Sequence, residues 1–253
     1  MLDLDPNRAH GGKTVYGASV GILVLDTRFP RVPGDIGNAA TWPFPVLYKV
    51  VRGATGHRVT TAQAGDASRG LLDAFLAAGG ELVREGADGI TTTCGFLAIY
   101  QRELAAHCGV PVAASSLMQI PLVERLLPPG KRVGVVTFSA SRLGPEHLTA
   151  AGAAADTPVV GIERGREFWR VMEEDEHTLD IAAARADILE AGDELVARHP
   201  EVGAVVLECT NMVPFARALR QRLQMPVYSI YSFVTWFQAG LSPRGFSLPG
   251  DPL

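Results

Sequence analysis

Short apolar runs alternate with longer amphipathic segments along most of this chain. Continuous apolar and β-branched runs are typical of strands buried in a parallel sheet, and segments with a 3.6-residue period are typical of the helices that cover it. The predicted strands are residues 18–25, 58–64, 90–93, 110–114, 132–138, 158–162, 204–207 and 227–230. The predicted helices are a segment ending near residue 85 and residues 96–108, 117–127, 143–151, 179–198, 213–223 and 231–239. This alternation predicts an α/β fold with parallel sheets and right-handed crossovers.

The same order of segments occurs twice. The apolar run at 21–24 has a counterpart at 134–137, and the helical segment at 78–83 has one at 191–196 with the same separation. A fixed offset between similar segments indicates an internal repeat. We therefore expect two Rossmann-like halves related by a pseudo-two-fold axis, each a parallel sheet flanked by helices, with the active site in the cleft between them.

The repeat also predicts where the halves begin and end. The N-terminal half is predicted to be residues 16–116 plus 231–253, and the C-terminal half residues 117–230. Residues 1–15 are polar and are predicted to be a flexible leader.

One cysteine follows the third strand of each half. Cys94 and Cys209 are each followed at the same distance by a Pro-Val pair, and a two-residue insertion around His199-Pro200 would explain their slightly larger separation. Ligands bind outside the carboxyl ends of parallel strands, so both thiols should face the cleft. A helix after each cysteine should favour its thiolate. Two opposed thiols predict an acid and a base that invert a carbon next to a carbonyl group.

Polar groups beside the cysteines are candidates for holding a substrate carboxylate, on which negative charge develops when the α-proton leaves. Glu208 adjoins Cys209, but alternation along a strand predicts that it points to the other side, with a supporting or capping role. The candidate substrate-binding residues next to the cysteines are Thr92, Thr93, Gly95, Thr210 and Asn211.

The segment from Arg28 to Lys49 is long for a loop and rich in proline, and it follows the first strand. Such loops are often functional, although this one could be only a rigid surface excursion. We expect Asp35, Asn38 and Thr41 to orient the substrate. Three aromatic residues, Trp42, Phe44 and Tyr48, are then expected to close over it.

Two motifs, Thr-Thr-Cys94-Gly and Glu-Cys209-Thr-Asn, in duplicated α/β halves resemble the aspartate/glutamate/hydantoin racemase superfamily, and the resemblance covers roughly residues 16–240. Asp26-Thr27, after the first strand, is similar to the acidic-hydroxyl pair of that family. The resemblance implies a cofactor-independent racemase with Cys94 and Cys209 as its two bases. It also implies a substrate surrounded by Asp26, Thr27, Thr93 and Thr210. Cys94-Gly-Phe and Cys209-Thr-Asn differ from the Cys-Asn-Thr and Cys-Thr-His of glutamate racemases, so glutamate is not the expected substrate.

Composition and residue spacing limit the classes of partner and cofactor that we expect. A formal net charge of −4 argues against nucleic acid, and no stretch is apolar enough to span a membrane. The N-terminus lacks a signal-peptide pattern, so we expect a cytoplasmic protein with reduced cysteines. None of the three lysines follows a strand as a Schiff-base lysine would, and the histidines show no metal-ligand spacing. We expect no cofactor and no metal, and a structural role for Cys108.

The sequence thus predicts an isomerase that racemises or epimerises the α-carbon of an amino acid or a related carboxylic acid. The alternatives are a hydantoin racemase, a decarboxylase or cis-trans isomerase of a dicarboxylic acid, and a small-molecule binding protein. The expected partner is a small carboxylate substrate. A homo-oligomer is possible, and the sequence does not choose between acidic, apolar and hydantoin substrates.

Overall fold

The computed structural model describes residues 9, 11–62 and 69–246. These residues form two parallel four-stranded sheets. The strands of the first sheet are β1 (Val20–Leu25), β2 (Val46–Val51), β3 (Gly89–Thr92) and β4 (Val112–Ala113). Those of the second are β5 (Arg132–Thr137), β6 (Val159–Gly161), β7 (Val202–Leu207) and β8 (Val227–Tyr228). The strand orders, β2-β1-β3-β4 and β6-β5-β7-β8, are the same when counted within each half. The predicted α/β class and the two similar sheets are confirmed.

Helices flank both sheets. The α-helices in the described residues are α1 (Gly56–Thr60), α2 (Arg69–Glu85), α3 (Gln101–Cys108), α4 (Ile120–Leu126), α5 (Pro145–Ala150), α6 (Phe168–Glu173), α7 (Ile181–Arg198), α8 (Ala216–Leu223) and α9 (Ile230–Leu241). Four 3₁₀ helices cover Ala39–Thr41, Gly95–Tyr100, Ser116–Gln119 and Thr210–Phe215. The longest helix, α7, begins where the Asp180 carboxylate accepts the backbone N–H groups of Ala182 and Ala183 at 2.8 and 3.0 Å.

The second strand differs from the prediction. Residues 58–64 were expected to form it, but α1 lies there, capped by the Thr55 hydroxyl, which accepts the Arg58 N–H at 3.3 Å. The true second strand is β2, which pairs with β1 along its whole length inside the segment predicted to be a loop. Helix α6 was also not predicted. From the sequence, Asp66 or Ser68 would be expected to cap α2, but both lie outside the described residues.

The segment that leads to Cys209 in the second half is longer than the segment that leads to Cys94 in the first half, and β7 contains a β-bulge. Arg132 pairs with Val202, but Val133 pairs with Ala204, so Gly203 is an extra residue in β7. The turns before β3 and β7 have the same length, since α2 ends at Glu85 before Gly89 and α7 ends at Arg198 before Val202. The extra length of the second half therefore lies in the strand rather than around His199-Pro200.

One apolar core runs through both halves. Strand β1 is buried along its whole length, and its residues belong to two clusters. Leu23 and Leu25 join the large core that includes β5 and β7, whereas Val20, Ile22 and Val24 pack with α9 in the second cluster. Helix α9, which comes last in the described chain, thus covers a face of the first sheet. The assignment of all of 231–253 to the N-terminal half stays a prediction.

The predicted leader is partly attached to this fold. Residues 1–8 and 10 lie outside the described chain, but the Val15 N–H donates to the Glu85 carbonyl at 2.8 Å and Lys13 pairs with Asp88. Within the described residues, none of the helices combines the length and the apolar character needed to cross a membrane.

Candidate active site

The two cysteines occupy equivalent places at the carboxyl edges of the sheets. Cys94 lies two residues beyond β3, Cys209 lies two residues beyond β7, and each directly precedes a 3₁₀ helix. Pro214 in the second of these helices lacks an N–H and therefore cannot donate an α-helical hydrogen bond there. The predicted helices after the cysteines thus begin as 3₁₀ turns and continue as α3 and α8.

Both thiols line one narrow cavity between the halves, with a volume of about 40 Å³. Each cysteine is only 8% exposed. The cavity walls come from both halves and are mostly apolar. The lining residues are Leu25, Phe29, Gly56, Thr60, Thr93, Cys94, Phe96, Phe138, Met172, Glu173, Glu208, Cys209 and Asn211.

Direct hydrogen bonds join the two carboxyl edges. The Thr210 hydroxyl donates to the Thr93 carbonyl at 2.8 Å, and the Ser116 hydroxyl donates to the Leu207 carbonyl at 2.7 Å. The Thr93 hydroxyl accepts the Leu25 N–H at 3.0 Å, which ties this turn to β1. These contacts fix the thiol of one half relative to the thiol of the other.

Glu208 points into the cavity, so the expectation that it faces the other side of the strand is wrong. It is 1% exposed, and its Oε2 accepts the Thr137 hydroxyl at 2.7 Å and the Phe138 N–H at 3.2 Å. The Gly95 N–H, beside Cys94, also donates to this carboxylate. Burial outweighs these donors and raises the pKa of Glu208 to about 7. The carboxylate therefore touches the turns of both cysteines.

Burial also raises the pKa of both thiols, and the charge on Glu208 raises it further. The N–H groups of Phe96 and Leu97 and the charge of Arg31 act in the opposite direction on Cys94. The Asn211 N–H does so on Cys209, whereas Asp35 opposes ionisation there. The expected stabilisation of thiolates by the following helices is thus present but smaller than the cost of burial. Cys94 has more groups that favour its thiolate than Cys209 has.

A chain of polar contacts leads from the loop after β1 to Cys209. The Cys209 thiol donates to Asn211 Oδ1 at 3.4 Å, and the Asn211 amide donates to Asp35. Asp35 is 2% exposed and pairs with Arg31 at 2.9 Å, and Arg31 also donates to the Thr27 hydroxyl at 2.9 Å. Asp35 and Thr27 thus reach the cavity through other side chains.

The remaining predicted binding residues are engaged elsewhere. Asp26 accepts the Gly53 N–H at 3.0 Å, and the Asn38 side chain caps the 3₁₀ helix Ala39–Thr41. The Thr41 hydroxyl donates to the Asp35 carbonyl at 2.6 Å, and the Thr92 hydroxyl donates to the Ala114 carbonyl at 2.7 Å. Their role in binding substrate stays a prediction that these contacts do not favour. Of the predicted site residues, Thr93, Cys94, Cys209 and Asn211 line the cavity.

The three aromatic residues that were expected to close over the substrate do not line the cavity either. Trp42 stacks on Phe44 and on Tyr231 of α9, each with ring centroids 5.5 Å apart, and the Tyr48 hydroxyl donates to the Ile36 carbonyl at 2.9 Å. This part of the loop therefore packs against α9, and the loop contributes Phe29 and the Arg31–Asp35 pair to the site.

Several lining residues were not predicted, because they come from segments without any motif. Glu173, at the end of α6, pairs with Arg142 and with His57, both at 2.8 Å. The hydrogen bond from Arg142 lowers the pKa of Glu173, so this wall of the cavity carries a negative charge held by a cation. Phe138 stacks on Trp169 of α6 with centroids 4.5 Å apart. Only the packing of α6 brings these groups to the thiols.

Comparisons with known proteins agree with this geometry. Residues 116–236 match the family model described as Asp/Glu/Hydantoin racemase. A solved arylmalonate decarboxylase mutant in a sulfate-associated form aligns with a TM-score of 0.62 over 92% of this chain and 96% of that chain, at 16% identity. Residues 116–236 are therefore similar to the Asp/Glu/Hydantoin racemase family, and the whole chain shares its fold with the solved decarboxylase. Another solved structure with this fold, aspartate racemase from Picrophilus torridus, aligns with a TM-score of 0.56 over 91% of this chain and 96% of its own, at 14% identity.

The relatives with similar sequences include lyases. A dimethylsulfoniopropionate lyase from Durusdinium sp. clade D is 29% identical over 95% of this chain and 79% of its own length. Dimethylsulfoniopropionate lyase 5 from Emiliania huxleyi is 29% identical over 85% of this chain, which spans 44% of that protein's length. The proteins similar to this chain thus include a racemase and lyases, and similarity alone does not fix the reaction.

Among the residues that the structure describes, no three His, Cys, Asp or Glu side chains are grouped so that they could hold a metal ion. Cys108, which was expected to be structural, is buried on α3 and does not line the cavity.

Gly95→Ala should disrupt this site. A Cβ at Gly95 would lie 2.3 Å from Glu208 Oε1 and 2.6 Å from the Glu208 carbonyl oxygen, so the turn after Cys94 or the carboxylate must move. We expect a lower melting temperature, since overpacking costs about 1–3 kcal/mol, and at least a tenfold loss of activity. Thermal unfolding and turnover measure both effects.

Gly240→Ala on α9 is the matched control, because its Cβ would meet no atom within 4 Å. This change should leave activity intact and stabilise the helix slightly. If Gly95→Ala folds and turns over like the unchanged protein, Glu208 does not lie against the Cys94 turn.

Proposed function

We propose that this chain is a cofactor-independent lyase that eliminates a sulfide from a small sulfonium carboxylate, with dimethylsulfoniopropionate as the first substrate to test. The observation that carries the proposal is the narrow cavity lined by both cysteines, by phenylalanine rings and by carboxylates. The similarity to dimethylsulfoniopropionate lyases over 95% of the chain supports the same reading.

The cavity suits a small cation next to a carbon acid. Aromatic faces attract methylated onium groups, and Phe29, Phe96 and Phe138 are all in the wall. Glu173 and Glu208 add negative charge at the same wall.

Cys94 is the better candidate for the base, because two N–H groups and Arg31 favour its thiolate. The thiolate takes the proton from the carbon next to the carboxylate. The electron pair of that C–H bond forms the C=C bond, and the C–S bond breaks with its pair leaving on sulfur. Dimethylsulfoniopropionate would give acrylate and dimethyl sulfide, and Cys94 is left as a thiol that must lose its proton before the next turnover. The developing negative charge on the carboxylate needs donors, for which the Asn211 amide in the cavity wall is available.

Racemisation of an amino acid or related carboxylic acid is the second candidate. It is favoured by one observation, which is that a thiol from each half reaches the same cavity. Inversion needs a base on one face of the carbon and an acid on the other, whereas elimination needs only one base.

A direct assay separates the two reactions. The purified chain is incubated with dimethylsulfoniopropionate, and dimethyl sulfide is measured in the headspace and acrylate in solution. In parallel, enantiopure amino acids, hydantoins and hydroxy acids are incubated in D₂O, and deuterium at the α-carbon is followed by NMR. Sulfide and acrylate in equal amounts support the lyase. Deuterium uptake with inversion and no elimination would replace the lyase by a racemase.

A Cys94→Ala, Cys209→Ala double variant is the blank for both assays, and Cys108→Ala is the matched thiol control that should remain active. If the double variant eliminates sulfide as fast as the unchanged chain, the reaction does not use this cavity.

A further inference from the structure

We propose that Glu208 controls the ionisation of Cys94 and Cys209, so that the three side chains form one coupled acid cluster in which a negative charge on Glu208 keeps both thiols protonated. The inference rests on the proposed function only in taking this cavity as the active site. It does not depend on which reaction takes place there.

The position of Glu208 beside the turns of both cysteines is the first support. Glu208 directly precedes Cys209 in the sequence. Its Oε1 would lie 2.3 Å from a Cβ placed on Gly95, which directly follows Cys94. All three side chains line the same cavity, and all three are almost completely removed from solvent. Charges this close and this poorly hydrated interact strongly, because little water screens them.

The hydrogen bonds around Glu208 are the second support. The Thr137 hydroxyl and the N–H groups of Phe138 and Gly95 all donate to this carboxylate. Three donors favour its charged form, so Glu208 is the member of the cluster that ionises first as the pH rises. Once it is charged, ionisation of either thiol would place a second negative charge in the same cavity.

The other charged groups near the cavity are already paired. Asp35 pairs with Arg31, and Glu173 with Arg142 and His57. A further titratable group, His147, lies behind Phe96 with ring centroids 5.2 Å apart, and burial lowers its pKa. Glu208 itself has only neutral donors. Its charge is therefore not balanced by a cation of its own, and it acts fully on the thiols.

Coupled acids give a characteristic pH dependence. Below the pKa of Glu208, the thiolate fraction rises tenfold for each pH unit. Above that pKa, each new thiolate must either share the cavity with the Glu208 charge or return a proton to Glu208. The proton then moves from the sulfur to the carboxylate with no change in net charge, and the thiolate fraction stops rising with pH. The reactivity of the thiols should therefore level off near neutral pH.

Alkylation by iodoacetamide tests this without any turnover. Rates for each cysteine are measured by mass spectrometry from pH 5.5 to 9 in the unchanged chain and in Glu208→Gln. We expect Cys94 and Cys209 to level off near pH 7 in the unchanged chain and to keep rising in Glu208→Gln. At pH 8 the variant should react about five to ten times faster, and at pH 6 equally fast, since one pH unit is a tenfold change in thiolate. Cys108 is the internal reference, and its rates should not change.

If Glu208 had a purely structural role, Glu208→Gln would not raise the alkylation rates at pH 8 while leaving those at pH 6 unchanged. If Cys94 and Cys209 show the same profile in both proteins, or no change of slope near pH 7 in the unchanged chain, the proposal is wrong. A changed Cys108 rate would reveal misfolding of Glu208→Gln. In that case the Thr137→Val variant is used to test the proposal. This variant removes a donor from the carboxylate and should move the change of slope to higher pH, and an unmoved slope overturns the proposal. A chain with the expected profile but no lyase activity would refute the proposed function alone.

Discussion

Cys94→Ala should abolish elimination, with a loss of at least about a thousandfold in kcat/KM, because it removes the thiolate that takes the proton from carbon. Cys209→Ala should lose only about tenfold, since in a lyase its thiol does not transfer a proton to carbon. The two variants are compared by dimethyl sulfide release under identical conditions. An unequal effect of two equivalent residues is the result that separates a lyase from a racemase built on the same fold.

The control for this experiment is Cys108→Ala, which removes a buried thiol of α3 outside the cavity. It should keep elimination within about twofold and reveal any general effect of losing a buried sulfur. Equal, complete loss in Cys94→Ala and Cys209→Ala would contradict the one-base elimination and favour two-base inversion. In that case deuterium uptake from single enantiomers becomes the deciding assay.

Asp35→Ala should give the second large effect, on stability as well as on activity. Asp35 pairs with the nearly buried Arg31, accepts the Gly37 N–H at 2.7 Å and holds the Asn211 amide. Removing one partner of a buried pair leaves the other charge without compensation, which costs about 3–5 kcal/mol. Asn211, which accepts a hydrogen bond from the Cys209 thiol, would lose its own acceptor at Asp35. Urea unfolding measures the free energy of unfolding, and sulfide release measures the activity.

Asp156→Ala is the matched control, because Asp156 also pairs with an arginine, Arg132, at 3.0 Å, but on the surface. Such pairs contribute little in water, so the urea midpoint should stay close to that of the unchanged chain. A loss of less than about 1 kcal/mol in Asp35→Ala would mean that the Arg31–Asp35 pair does not support the fold in the way described.

The duplication and the places of the two cysteines follow from the sequence because they depend on local patterns. Strands buried on both faces consist mainly of apolar, small and β-branched residues, and β1, β3, β5 and β7 have this composition. A thiol that follows such a strand must lie at the carboxyl edge of a parallel sheet. The prediction of two thiols facing one cleft required no information beyond these runs and their repetition.

The edge strand β2 could not be recognised in the same way. Most of its residues are only half-buried, and its segment is preceded by prolines and glycines that also suit a loop. This segment is a strand because it pairs with β1. Since β1 is distant in sequence, no local pattern of apolar and polar residues reveals that pairing. For the same reason, α1 was mistaken for a strand.

Only the tertiary structure decided the direction and the charge of Glu208. Alternation along β7 predicted that it faces away from Cys209, but β7 ends at Leu207, so the rule no longer holds at the next residue. Its carboxylate turns toward Thr137, Phe138 and Gly95, which are distant in sequence. The ionisation of all three acids is likewise set by how much water the packed halves exclude, and desolvation is a sum over atoms from many elements. The sequence by itself therefore determined which residues stand at the edges of the sheets, and the packing of the halves determined which side chains meet there and which of them carry charge.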